Sequence, residues 1–244
     1  MQDFQLIAAL VVFTIIIWLL RSPSFKGALG ERRVKRSLRA QLSEDDYRLF
    51  HDLTLPVRGG TTQIDHIVVS RFGVFIIETK NMRGWIFGSA DQAVWTQVLF
   101  RRKSKFQNPI RQNYKHVKAV QELLHIKAHL LHGVVAFVGS GIPKSAMPPG
   151  VVWGVQSLVE HIKAKRFAVL SEEEVRTFAA SLSDSGLKSN IRTRRAHVRH
   201  VKADVATTCP KCGAPLVQRT NRQSGNSFLS CSTFPVCRGT RKLS

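Results

Sequence analysis

Two apolar runs on either side of a tight turn constrain the fold more than any other part of the chain. QIDHIVVS (63–70) and VFIIETK (74–80) flank Arg71-Phe72-Gly73 and read as the arms of a β-hairpin. Their apolar residues do not alternate with polar ones. Ile64, Ile67, Val68, Val69, Ile76 and Ile77 populate both parities, as in strands covered on both faces. Such a hairpin belongs inside a sheet with helices on either side. Yet the same two strands carry Asp65, Glu78 and Lys80.

Parity relates those three residues. Positions two apart on a strand share a face, so Glu78 and Lys80 point the same way. A two-residue loop, either Arg71-Phe72 or Phe72-Gly73, sets Asp65 on that face, opposite Glu78 or Lys80. A three-residue loop sets it on the other face, because a slip of one residue flips the pairing. We expect the tight turn, and therefore convergence. Two carboxylates and an amine among apolar neighbours are costly unless paired or bound to a metal. Two carboxylates with backbone and water oxygens suit Mg²⁺. That ion polarises a phosphate and lowers the pKa of a bound water, and a lysine alongside orients the water. The plain alternative is a salt-bridged strand end.

The neighbouring sequence completes an α/β pattern. Val34, Leu38 and Leu42 recur at helical spacing over 28–42, with Glu31 in the first turn. Short strands are expected at 85–87 and 94–100, with Trp85 and Trp95 as core side chains. Asn108-Pro109 opens a helix, Asn as N-cap and Pro at the first helical position. Its apolar face takes Ile110, Val117, Val120, Leu124 and Leu131, and it carries Gln112, Tyr114 and His116. Segments 133–139 and 151–155 read as buried strands. Ser171 and Glu174 form a capping box before a last helix. His66 falls on the face opposite Asp65 and reads as structural.

Both ends of the chain differ from this middle. Residues 4–20, FQLIAALVVFTIIIWLL, contain no charge, which matches the short end of a membrane-spanning helix. A cleaved signal peptide would want a basic lead and a small-residue cleavage site, and neither is present. Lys26, Arg32, Arg33, Lys35, Arg36 and Arg39 follow the run, and no basic residue precedes it. The positive-inside rule then predicts a single pass through the cytoplasmic (inner) membrane, N-terminus out and the bulk of the chain in the cytosol. The whole chain carries 37 Lys and Arg against 16 acids, net +21. That excess favours polyanionic partners, nucleic acid or anionic lipid. Residues 183–206 read as a basic linker. All four cysteines follow it: Cys209, Cys212, Cys231 and Cys237, spaced C-x2-C-x18-C-x5-C. Four thiolates at this spacing suit a structural tetrahedral Zn²⁺, with disulfides or free thiols as the alternative.

These motifs together resemble known families. GE at 30–31, QIDHIVVS, GVFIIETKNMRGWIFG, Trp95 and NPIRQNYKHV are similar to the nuclease-related domain (NERD) family, itself similar to Mrr-type endonucleases of the PD-(D/E)xK superfamily. The resemblance spans about residues 28–140 and implies a restriction-endonuclease-like central mixed sheet flanked by helices. It implies Asp65 and Glu78 as Mg²⁺ ligands, Lys80 as the catalytic lysine, Glu31 as the helix-borne acid and Gln112 as a polar residue facing the site. One departure is Ile64 where the motif has proline. The tail, CPKCGAPLVQRTNRQSGNSFLSCSTFPVC, resembles the zinc ribbons of bacterial type I topoisomerases, which implies DNA as a partner. Phe228 and Phe234 with Arg219, Arg222, Arg238, Arg241 and Lys242 offer an aromatic and basic mix for single strands, or the rings pack around the zinc.

The expected organisation is an anchor at 1–21, a nuclease-related domain at 22–182, a linker at 183–206 and a zinc ribbon at 207–244. The expected activity is metal-dependent DNA hydrolysis. The alternatives are a non-catalytic DNA tether at the membrane, or a basic surface that serves anionic lipid alone.

Overall fold

The computed structural model describes residues 22–57, 60–185, 209, 214–221 and 225–242, with a few isolated positions before residue 22. Most of the apolar run at 4–20 lies outside the described residues, as do 186–206 of the linker, 207–208 and Cys212 of the ribbon. Among the described residues no helix is long and apolar enough to cross a membrane.

The hairpin sits at the centre of a five-stranded mixed sheet. Its strands are β1 (Tyr47–Val57), β2 (Gly60–Ser70), β3 (Gly73–Lys80), β7 (Leu131–Phe137) and β9 (Val151–Trp153), in that order across the sheet. β1, β2 and β3 pair antiparallel, whereas β3, β7 and β9 run parallel. The second sheet orders β6 (Arg102–Gln107), β5 (Val94–Leu99), β4 (Gly84–Phe87) and β8 (Gly141–Pro143).

Helices cover both faces of the central sheet, which explains the unbroken apolar runs. On one face Val34 and Leu38 of α1 (Pro23–Gln41) join Leu158, Val159 and Ile162 of α3 (Val155–Lys163) over Val68, Phe75 and Ile77. On the other, Val120 and Leu124 of α2 (Pro109–Leu124) join Val175 and Leu182 of α4 (Glu172–Ser185) over Ile67, Val69 and Ile76. The third core lies between the second sheet and the β7–β9 end of the central one. There Trp95 stacks parallel to Phe137, their centroids 6.1 Å apart, and Phe137 stacks on Trp153 at 4.3 Å.

Local signals explain the boundaries. α1 starts at Pro23, five residues before the expected 28, because Ser22 caps it by accepting the Phe25 N–H at 3.2 Å. α2 begins at Pro109 with Asn108 accepting the Ile110 N–H at 2.9 Å. It stops at His125, whose left-handed φ of 50° ends the helix, so Leu131 opens β7 instead of extending the helical face. Ser171 and Glu174 bond reciprocally at the start of α4, which runs on to Ser185, past the expected domain edge. Trp95 is core, but Trp85 is half exposed, contrary to the expectation for it.

Candidate functional site

β2 and β3 close through Arg71-Phe72, with Ser70 opposite Gly73. Gly73 takes φ 123°, which few residues other than glycine tolerate. This register sets Asp65 level with Glu78, on the α2 side of the sheet. The ladder nevertheless ends one level short, at His66 opposite Ile77. On the other flank the β1–β2 pairing skips the level of Asp52 and Asp65, and Asp52 turns to φ 54°. Asp65 fills the opening: its Oδ2 accepts the backbone N–H of Thr79 at 2.7 Å.

Glu78 is buried and engaged at both oxygens. Lys80 Nζ donates to Oε1 at 2.6 Å, and Oε2 lies 3.2 Å from His116 Nε2. Lys80 Nζ also donates to Gln112 Oε1 at 3.0 Å. His116 Nδ1 lies 2.8 Å from Thr62 Oγ1, so this buried imidazole links β2, β3 and α2. Gln112 and His116 are one turn apart on α2 and face the same way. Asn113 seats that helix: its Nδ2 donates to the carbonyls of Ile76 at 3.0 Å and Val134 at 3.1 Å.

Glu31 approaches from α1. Gly30 permits this, since a Cβ there would stand 2.6 Å from Asn81 Cβ just beyond β3. The Glu31 charge is felt at Asp65. Burial first, then the charges of Glu78 and Glu31, push the Asp65 carboxyl well above the usual carboxylate range, against the opposing pull of the Thr79 N–H and Lys80. For Glu78, burial pushes up, but the Lys80 ammonium and His116 together outweigh it and leave the carboxyl below its usual value. The two carboxyls are thus pushed in opposite directions, Asp65 up and Glu78 down, a split of the kind found at functional sites.

The structure therefore brings together Asp65, Glu78, Lys80 and Gln112, with Glu31 within electrostatic reach. Sequence reasoning passed over His116 and Thr62. The signal for His116 was its place four residues after Gln112 on a helix already aimed at the site. Tyr114, two residues after Gln112, points outward. His66 lies on the opposite face, its Nδ1 2.9 Å from His51 Nδ1.

In the tail, β10 (Leu216–Thr220), β11 (Ser227–Cys231) and β12 (Thr240–Lys242) form an antiparallel sheet that brings Cys231 towards Cys209 and Cys237. One sulfur from each lies within 4.8 Å of the others, and Cys209 and Cys237 are 3.7 Å apart. Tetrahedral zinc with bonds of about 2.3 Å places sulfurs roughly 3.8 Å apart, so the three fit the metal. Among the described residues this is the one group of three such ligand atoms drawn so close; Glu31, Asp65 and Glu78 are not. Phe234 is half exposed, with the Arg219 guanidinium 5.4 Å from its ring centroid.

Comparison with known proteins matches both segments. Residues 26–138 match the nuclease-related domain, and residues 206–244 match the topoisomerase DNA binding C4 zinc finger. An uncharacterised protein of Bacillus anthracis is 52% identical over 103 residues, 42% of this chain and 48% of that protein. DNA topoisomerase 1 of Mycoplasma genitalium is 33% identical over 57 residues, 22% of this chain and 8% of the enzyme. The matches thus span about half of the first relative and a small part of the second. The chain combines a nuclease-related domain of the NERD family at 26–138 with a topoisomerase-type C4 zinc ribbon at 206–244.

Proposed function

We propose that this protein is a metal-dependent DNA endonuclease, with an endonuclease-like core of the PD-(D/E)xK kind and a ribbon that binds DNA. The observation that carries this reading is the meeting of Asp65, Glu78, Lys80 and Gln112 where β2 and β3 part. The donor set suits Mg²⁺: hard carboxylate oxygens, including a pair whose mutual repulsion a cation relieves. Asp65 and Glu78 would hold the ion, and bound there it would polarise the scissile phosphate. Lys80 releases Glu78 and turns its ammonium towards the attacking water, with Gln112 keeping hold of it. Glu31 assists from α1.

The test is cleavage of single- and double-stranded DNA with Mg²⁺ or Mn²⁺. Lys80→Ala should lower the rate by about 100-fold or more, and Asp65→Ala should abolish it. Equal background in wild type and both variants would refute hydrolysis. One observation favours a second reading, a non-catalytic DNA tether: both Glu78 oxygens already have partners within the protein. In that case binding persists, falls with salt, and ignores the Lys80 change.

The uncharged run at 4–20 would anchor the chain in the inner membrane, with the basic residues after it on the cytosolic side. Release of the full chain from membranes by alkaline carbonate would refute the anchor.

A further inference from the structure

The four-stranded sheet turns one face away from the core, and its register arranges that face as a grid. One row runs across β8, β4, β5 and β6 as Ile142, Trp85, Val98 and Lys103. The next row holds Phe87, Thr96 and Lys105, with Lys144 beside them two residues beyond Ile142. Paired residues share a face, and the opposite parity, Ile86, Trp95 and Phe106, fills the third core. The outward rings stay open: Trp85 is 50% exposed and Phe87 36%. Lys103, Lys105 and Lys144 are exposed around them, and Lys144 Nζ stands 5.0 Å from the Trp85 ring centroid. The turn between β5 and β6 adds Phe100, 93% exposed, with Arg101 and Arg102 beside it. Asp91 is the only acid between residues 81 and 107, and none lies between 138 and 150.

Half-exposed rings in a field of cations match a particular ligand. Duplex DNA hides its bases and has no use for the rings. Unpaired bases stack on aromatic side chains while their phosphates meet lysines. We propose that this face is a platform for single-stranded DNA, with Trp85 and Phe87 stacking on bases and Lys103, Lys105 and Lys144 contacting the backbone phosphates. Lys144 covers the Trp85 ring in the free protein, and its flexible chain yields to a base while keeping a phosphate in reach. The platform's strands are joined along the chain to the elements that carry the site. β3 ends at Lys80 and β4 begins at Gly84, while β6 ends at Gln107, five residues before Gln112. The choice of DNA over RNA rests on the proposed function, whereas the platform binds whether or not the site hydrolyses.

The test measures binding of a fluorescent oligo-dT 15-mer to the full chain with no divalent ion added, so cleavage plays no part. Trp85→Ala should weaken binding by about 5- to 150-fold, the range for loss of one base stack. Trp85→Tyr should keep most of the affinity, and a duplex should bind both alike. Lys103→Ala with Lys105→Ala should flatten the salt slope by about 1.4, the share of two phosphates on a single strand. The control is Phe167→Ala, an exposed ring away from this sheet. Bromouracil photo-crosslinks should map to 84–107. The proposal fails if Trp85→Ala matches the control, or if every crosslink falls in 209–242. It fails equally if oligo-U binds more tightly than oligo-dT, or if Trp85→Ala lowers retention on anionic vesicles and leaves DNA affinity intact.

Discussion

At the scale of single residues, Glu78 depends on His116 as well as Lys80. Removing a partner from a buried charged acceptor leaves part of its desolvation uncompensated. His116→Ala should therefore lower the stability of the full chain by about 1–3 kcal/mol in urea titrations. An unchanged midpoint would show that the imidazole is idle. Asp65 predicts a dependence on pH. Its carboxyl is raised in the fold, so above the ordinary carboxylate value of about 4 the folded state keeps a proton that the unfolded chain has lost. Stability of the Mg²⁺-free protein should fall as pH rises through that window. Asp65→Asn should remove this slope, and Mg²⁺ should raise the melting temperature more at high pH than at low. Glu78 has the opposite sign: its contribution is present above the ordinary value and lost as pH falls towards its depressed one. Asp65, Glu78 and Lys80 were legible in the sequence because strand parity and a short turn relate them. His116 was not, since its role depends on which face of α2 meets the sheet.

At the scale of elements, Asn108 holds α2 in place from both sides of the chain. It caps the helix, and its Nδ2 donates to the carbonyls of Ser89 at 3.1 Å, Ala90 at 3.1 Å and Gln92 at 2.6 Å. The sequence showed only the cap. Asn108→Ala should cost about 2 kcal/mol or more, since a buried amide with several partners is lost as well as the cap. It should also loosen Gln112 and His116, so that cleavage falls further than stability alone explains. Assay well below the melting temperature separates the two. The hairpin, α2 and α4 were readable from periodicity and caps. β1 was not, because its burial follows no clean alternation and it breaks at Asp52. β6 was hidden by composition: RKSKFQ reads as a solvated basic run, yet it is an edge strand of the kind that lysines protect from further pairing.

At the scale of the whole molecule, two cores of different origin share one chain. Among the described residues the nuclease-related domain buries three apolar clusters, whereas the ribbon has a short sheet and three of its four cysteines drawn together. A segment this small takes its folding energy from the metal. Chelation should release about one Zn²⁺ per chain and abolish order in 209–242, and the main thermal transition should stay in place. Hydrogen exchange with metal analysis reads both. Loss of the main transition on chelation would show that the two parts stand or fall together. The division itself was legible from cysteine spacing. The outward platform was not, since Trp85 and Trp95 look alike until the register puts them on opposite faces.

Asp65 has a consequence for descent. Its side chain replaces a missing rung of the ladder by taking the Thr79 N–H, a duty owed to the backbone whether or not a metal ever binds. A descendant that abandoned catalysis would still be under pressure to keep an acid or amide there. Lys80 and Gln112 have no backbone partner in their contacts with Glu78 and each other, and would drift first. Across relatives, the lysine is therefore a better witness to living chemistry than the aspartate.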